Sequence, residues 1–202
     1  IVFGTFSGVV GYRRELSGQR QRVLSLAPPS VAGALLGAGL LLALPASVFH
    51  RVVPVLVLFA VALVVAQPRL SALLAAHRGH RYSEWALRIG VFLTAVYGGY
   101  FGAAQGVILV GLMGVLIDDT LQRINGLKNV VASIVNAVAA VVFVLVAHIA
   151  WPAAALLAVS SVVGGQLGAE AGRRMPPNVL RAAIVVAGLA AVVKLLATPS
   201  PG

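Results

Sequence analysis

A short polar stretch in an otherwise apolar part of the chain holds the residues best suited to binding a solute. These residues recur at helical spacing: Asn125, Lys128, Asn129, Ser133 and Asn136. At 100° per residue they fall on one face of a helix. The opposite face is apolar: Val130, Val131, Ile134 and Val135. A lysine ammonium supplies charge and three donors, and asparagine amides supply neutral donors. The pattern predicts an anion-binding face.

A glycine-rich segment, residues 97–106, is the second candidate. Gly98 and Gly99 are adjacent, which lowers helix propensity inside an apolar run, and Gly102 follows within one turn. One hypothesis is a broken helix whose freed backbone N–H groups point at an anion. The other is a stripe of small residues at four-residue spacing, Gly98, Gly102 and Gly106, that permits close helix packing. Gln105 needs a polar partner in this run and is predicted to line a cavity.

The composition shows which kind of protein must position these residues. Of the 202 residues, 60% are hydrophobic and 10% are charged. Ordinary soluble domains have about 25% charged residues, and a fold of this size cannot bury so much apolar surface. Composition therefore excludes a soluble enzyme, a disordered chain and a disulfide scaffold. It indicates an integral membrane protein with several spans.

The formal net charge of +10 does not indicate a nucleic-acid partner. Most Lys and Arg residues lie in short segments between apolar runs, so no basic stripe is available to follow a phosphate backbone. The chain has no cysteine, and its four histidines are scattered. We therefore expect no metal site and no cofactor.

Two ordinary explanations of the polar helix face stay open in a membrane protein. Lys128 lies within two turns of the helix start, so its side chain can extend back to the membrane interface. Asparagine and serine can hydrogen-bond a neighbouring helix for packing alone. Against the first explanation, a lysine at the centre of a membrane helix costs about 2.5–3.5 kcal/mol and is expected to face a cavity.

Continuous apolar runs predict an all-α membrane bundle with about seven spans, one of them partial, at about 20 residues per span. The predicted spans are residues 1–12 (partial), 28–44, 48–66, 86–116, 125–147, 153–171 and 179–196. The run 86–116 is too long for one straight crossing. The sequence begins at Ile1 without a methionine, so we expect the first span to be incomplete.

Positive charge is concentrated in residues 12–22 and 67–85. Two predicted spans separate these segments, so both lie on one side, and their arginine excess predicts that this side is cytoplasmic. The opposite side is expected to hold Arg51, the Asp118–Asp119 turn and the Arg173–Arg174 pair. The two aspartates are interpreted as exposed charge before a helix N-terminus, with proton coupling as the alternative.

The chain contains an apparent internal repeat. Shifting it by 131 residues places Ser30–Pro45 on Ser161–Pro176, and both copies have a Gly-xxx-Gly helix followed by a proline. We predict a duplication, with residues 1–84 as an incomplete first half with a basic loop and residues 85–202 as the second half. Repeat-built transporters place their substrate site at the repeat interface.

The motifs together resemble the sulfite exporter TauE/SafE family. The resemblance lies mainly in Tyr97–Gly106, Asn125–Asn129 and Ala147–Pro152, with support from residues 8–16 and 164–176. It implies a duplicated, multi-pass permease that moves sulfite, sulfonates or related organosulfur anions across the plasma membrane. The first half lacks the early segment that the family duplicates.

The sequence therefore predicts a cell-membrane permease for a small anion, and not an enzyme. The predicted substrate-binding residues are Lys128 for charge, Asn125, Asn129 and Asn136 for orientation, Gly98, Gly99 and Gly102 for close backbone approach, and Gln105. The alternatives are a permease for an unrelated small solute and a structural or assembly subunit that transports nothing. The expected partners are the lipid bilayer and a small anionic solute, and homo-oligomerisation stays open.

Overall fold

The computed structural model describes residues 9, 11–76, 84–147, 151–152, 155–156, 160 and 177–197. These ranges contain six helices and no strand: α1 (Arg20–Ala43), α2 (Ala46–Ala76), α3 (Glu84–Tyr100), α4 (Gln105–Leu116), α5 (Leu121–Val146) and α6 (Pro177–Ala197). Three of them hold segments long and apolar enough to cross a membrane: Arg20–Ala43, Arg51–Arg69 and Leu121–Val146. The chain is thus all-helical and consistent with a membrane helix bundle.

Several predicted elements fall outside the described residues. They include most of the partial span 1–12, most of the span 153–171 and most of the second repeat copy. The count of seven spans and the duplication therefore stay predictions. Elsewhere the helices begin earlier than the apolar runs, because polar residues form their first turns. Helix α5 begins at Leu121, where the Arg123 N–H donates to the Thr120 hydroxyl at 3.4 Å.

Helices α1, α3 and α5 run side by side in the same direction. Gly33 of α1 faces Phe92 and Ala95 of α3, and one turn later Gly37 faces Val96 and Tyr100. These glycines let the two backbones approach closely. Near the start of α5, the Gln19 amide donates to the Arg123 carbonyl at 3.1 Å. Deeper in the bundle, Ala34, Ala95 and Val135 form one buried cluster.

The predicted span 86–116 is a helical hairpin. Helix α4 folds back along α3, with Gly98 against the Gln105 side chain and Gly90 against Leu112. The turn between the helices includes Gly102 at φ +77° and Ala104 at φ +59°. The Gly102 N–H donates to the Tyr97 carbonyl at 3.2 Å, which ends α3. With 12 residues, α4 covers about 18 Å, short of a hydrocarbon core of about 30 Å.

The hairpin changes the predicted sidedness of the Asp118–Asp119 turn. Arg22 Nη1 lies 2.6 Å from Asp119 Oδ2, so this turn shares one end of the bundle with the start of α1. We call the end where α1, α3 and α5 begin the basic end. The prediction that the aspartates lie opposite residues 12–22 is wrong. It assumed that residues 86–116 cross once, whereas the chain turns back and returns to the same end.

Candidate functional site

The first turn of α4 lies at the tip of the hairpin, inside the bundle. Its N-cap residue is Ala104, in the left-handed backbone conformation, and no side chain caps the helix. The N–H groups of Gln105, Val107 and Ile108 donate to the Gly102 and Ala104 carbonyls, so the Gly106 N–H is the one donor of this turn without a backbone partner among the described residues. The helix N-terminus adds partial positive charge. Gln105, the first residue of α4, is 4% exposed, and its Nε2 has no hydrogen-bond partner among the described residues. Both features leave donors available at the tip.

Lys128 of α5 extends to this same turn of α4. A Cβ built on Gly106 would lie 3.6 Å from Lys128 Cδ and 4.0 Å from its Nζ. Along α4, Gly106 is about 15 Å from Leu116, at 1.5 Å per residue. The Lys128 side chain therefore ends beside the hairpin tip. If it only extended back to the membrane interface, it would end near the Asp119 turn at the basic end. Because Gly106 has no side chain, the lysine stem can lie directly against the helix.

The other predicted polar residues of α5 lie at the edge of its buried face. Asn125, Asn129 and Asn136 are all half-buried. Fully buried positions of the helix include Leu127, Val131 and Val135. Val131 and Val135 belong to the predicted apolar face. At least these two residues of that face therefore pack in the core. The Ser133 hydroxyl is buried and has no hydrogen-bond partner among the described residues.

The glycines of residues 97–106 have different roles from one another. Gly99 packs on α1, where an added Cβ would lie 2.5 Å from the Ala34 carbonyl oxygen. Gly98 accommodates the Gln105 amide, and Gly102 adopts the positive φ of the turn. The helix is therefore broken as one hypothesis predicted, but at residues 101–104 and not at Gly98–Gly99. The prediction that glycines at four-residue spacing form one face of a single helix is wrong, because the chain reverses after Tyr100.

A second polar cluster, at the basic end, was not among the predicted site residues. Asp119 Oδ1 lies 3.0 Å from Arg123 Nε, and its Oδ2 accepts from Arg22 at 2.6 Å. Gln19 is 2% exposed and joins the cluster through Arg22 and the Arg123 carbonyl. The i,i+4 spacing of Asp119 and Arg123 is visible in the sequence. The contact between Asp119 and Arg22 depends on the hairpin and is therefore not visible in the sequence.

The electrostatics of this cluster favour an ionised Asp119. Partial burial by itself raises the pKa of the Asp119 carboxyl, because it removes water from the charge. Hydrogen bonds from Arg22, from the Thr120 N–H and from Arg123 act in the opposite direction. Their combined effect is larger, so the pKa of Asp119 lies below its ordinary value.

Comparison with known proteins agrees with this architecture. No curated protein and no solved structure gives a significant match. A model of the family described as sulfite exporter TauE/SafE matches residues 1–195, nearly the whole chain. With its apolar helices and this match, the chain is an integral membrane protein that belongs to the sulfite exporter TauE/SafE family of transporters.

Proposed function

We propose that the chain is a cell-membrane permease for a small organosulfur anion, such as sulfite or a sulfonate, which binds at the hairpin tip beside Lys128. The observation that carries the proposal is the contact of Lys128 with Gly106 in the first, uncapped turn of α4. The family supports transport of a sulfur anion. Which anion is carried, and whether the plasma membrane is its location, belong to the proposal.

The donors at the tip are suited to an oxyanion. A sulfite or sulfonate group presents three oxygens, each of which accepts hydrogen bonds. Lys128 supplies charge and three donors, and the start of α4 supplies the Gly106 N–H and the partial positive charge of a helix N-terminus. The unpaired Nε2 of Gln105 provides a further neutral donor from the same turn. Helix ends of this kind bind anionic substrate groups within membranes.

The asparagines of α5 take a secondary part in this proposal. Asn125 and Asn129 lie on neighbouring turns that flank Lys128, and Asn136 lies two turns further along. Their half-buried amides are available to orient an anion as it moves along the helix. Gly98 and Gly102 contribute by shaping the tip, and Gly99 contributes by holding α3 against α1. The division of the chain into halves after residue 84 is also part of the proposal, and under that division the whole tip belongs to the second half.

Removal of the Lys128 charge is the sharpest test. Lys128→Gln keeps most of the side-chain volume and hydrogen bonding, but it removes a charge-assisted contact of about 1.5–3 kcal/mol. The apparent affinity for labelled sulfite or methanesulfonate in proteoliposomes should fall roughly ten- to a hundredfold. Lys128→Arg should retain part of the transport, limited by the different shape of the guanidinium.

The chain provides a matched control in its other lysine, Lys194, which is exposed on α6. Lys194→Gln should leave transport unchanged at equal membrane levels. Equal flux in the Lys128→Gln and parent proteins would remove Lys128 from the site. Flux of an uncharged solute that is insensitive to both changes would favour the unrelated-solute alternative. Absence of any flux, with assembly lost on Asn129→Leu, would favour a structural subunit.

A further inference from the structure

A pocket of about 380 Å³ opens at the basic end, separate from the hairpin tip. Each of the three parallel helices contributes one arginine to its lining: Arg22, Arg88 and Arg123. Two carboxylates, Glu84 and Asp119, also line it, which leaves an excess of one positive charge among these side chains. The N-termini of α1, α3 and α5 are at this end and add positive potential.

A layer of buried apolar side chains lies beneath the polar lining of the pocket. Each of its arginines is followed three or four residues later by a fully buried apolar residue: Leu26, Val91 and Leu127. These three residues belong to one continuous core cluster. Residues three or four apart lie on the same helix face, one turn deeper, about 5.4 Å along the axis. A layer of packed side chains therefore separates the pocket from the interior of the bundle.

Asp119 occupies the position that a bound anion would take. Its carboxylate is held between Arg22 and Arg123 and is 14% exposed, whereas the two arginines are 42% and 33% exposed. Arg88 makes a different pair, with Glu84 at 3.2 Å, and Glu84 is 84% exposed. Exposed pairs of this kind are weak and exchange readily with solvent ions. The arginines are thus charged, partly solvated and directed to one pocket.

We infer that this pocket is a second anion site, at the basic end of the bundle, which takes a small oxyanion in competition with the Asp119 carboxylate. That this site binds the transported anion before the anion reaches the hairpin tip rests on the proposed function. That the site binds an oxyanion does not. The apolar core layer separates this site from the tip, so occupancy of the pocket does not depend on Lys128.

Trp85 provides a built-in reporter for this site. The Arg88 guanidinium lies 5.5 Å from the centre of the Trp85 ring, so an anion that draws Arg88 away changes the surroundings of the indole. The chain has two tryptophans, so Trp85 is the one tryptophan of the Trp151→Phe variant. We would titrate this purified variant with sodium sulfate, at constant ionic strength maintained with sodium gluconate, and follow the emission of Trp85. A saturable change is expected.

Substitutions in the Trp151→Phe protein define the site. Arg22→Gln should weaken sulfate binding at least tenfold, whereas Asp119→Asn should tighten it severalfold because the internal competitor is removed. Glu84→Gln, a change at an exposed position that does not threaten folding, should also tighten binding. Arg51→Gln, on an exposed arginine of α2, is the matched control and should leave the affinity unchanged.

The outcomes separate this inference from the proposed function. Lys128→Gln should lower the apparent affinity for the transported anion roughly ten- to a hundredfold and leave the Trp85 titration intact. An emission change that is linear in sulfate, or equal in the Arg51→Gln and Arg22→Gln proteins, would overturn the second site. Weaker binding in the folded Glu84→Gln protein would overturn it as well. Saturable binding without any transport would refute the permease and leave the site standing.

Discussion

Asp119 makes the stability of the basic end dependent on pH. Its pKa is lowered in the folded protein, so its contribution is complete above the unfolded value of about 3.9 and is lost as the pH falls through the folded value. At pH 7, Asp119→Asn should cost about 1 kcal/mol, since the arginine partners are partly exposed. For a chain of this size that is about 2–4 °C in Tm.

Thermal unfolding of the purified protein between pH 7 and pH 3 checks this prediction. The difference between parent and Asp119→Asn should be constant down to about pH 5 and should shrink at lower pH. Asp118→Asn is the control, because Asp118 is exposed and its replacement should leave the Tm at pH 7 nearly unchanged. A Tm difference between parent and Asp119→Asn that grows as the pH falls would contradict a lowered pKa for Asp119.

Ala104 is a strained residue at the hairpin tip. It is the one non-glycine residue with positive φ among those that the structure describes, at φ +59° and ψ +11°. This conformation costs an L-residue about 1–2 kcal/mol, which exceeds the entropic cost of introducing glycine. Ala104→Gly should therefore raise the free energy of unfolding by about 0.5–1 kcal/mol. Ala103→Gly, next to it, should lower it, and denaturant unfolding of both variants tests the difference.

At the scale of elements, the contact between α1 and α3 depends on the absence of side chains. A Cβ on Gly99 would lie 2.5 Å from the Ala34 carbonyl oxygen, a backbone atom that cannot rotate away. Gly99→Ala should thus force the helices apart and cost about 1–3 kcal/mol. Gly106→Ala is the matched change: its Cβ meets Lys128 at ordinary contact distance, so stability should hold.

The two glycine variants also distinguish packing from binding. Gly99→Ala should reduce the yield of folded protein, measured by size-exclusion chromatography, before it reduces transport per folded molecule. Gly106→Ala should lower transport at normal yield, because the added methyl group narrows the space beside Lys128. A normal yield of folded Gly99→Ala protein would show that α1 and α3 tolerate a wider spacing. It would contradict the view that the close contact between them is required for folding.

At the scale of the whole molecule, the hairpin predicts which loops share a side of the membrane. The parent chain has no cysteine, so single cysteines can be labelled without background. Ser17→Cys and Asp118→Cys should react alike, since both positions are exposed at the basic end. In whole cells an impermeant thiol reagent should label neither, and it should label Leu44→Cys at the other end of α1.

This experiment separates the topology from the orientation. Opposite behaviour of Ser17→Cys and Asp118→Cys would contradict the hairpin. Labelling of both in whole cells, with Leu44→Cys protected, would keep the hairpin and reverse the orientation.

The sequence by itself determined the class of the protein and the approximate positions of most of the helices that the structure describes. Apolar composition cannot be hidden in a water-soluble fold of this length, and apolar runs of membrane length fix where helices form. The polar face with Lys128 followed from helical spacing, and a break in this glycine-rich segment was one of two hypotheses, although the sequence placed it at Gly98–Gly99 and not at residues 101–104. The family followed from motifs whose residues the sequence displays directly.

Only the tertiary structure decided that residues 86–116 turn back on themselves. A long apolar run interrupted by glycines fits a broken span or a hairpin equally well, because hydropathy counts residues and carries no direction. That reversal brings Gly106 to Lys128 and Asp119 to Arg22, pairs separated by 22 and 97 positions. Such contacts depend on how helices pack, which local spacing does not specify, so the hairpin tip and the basic pocket emerge only when the helices are placed together.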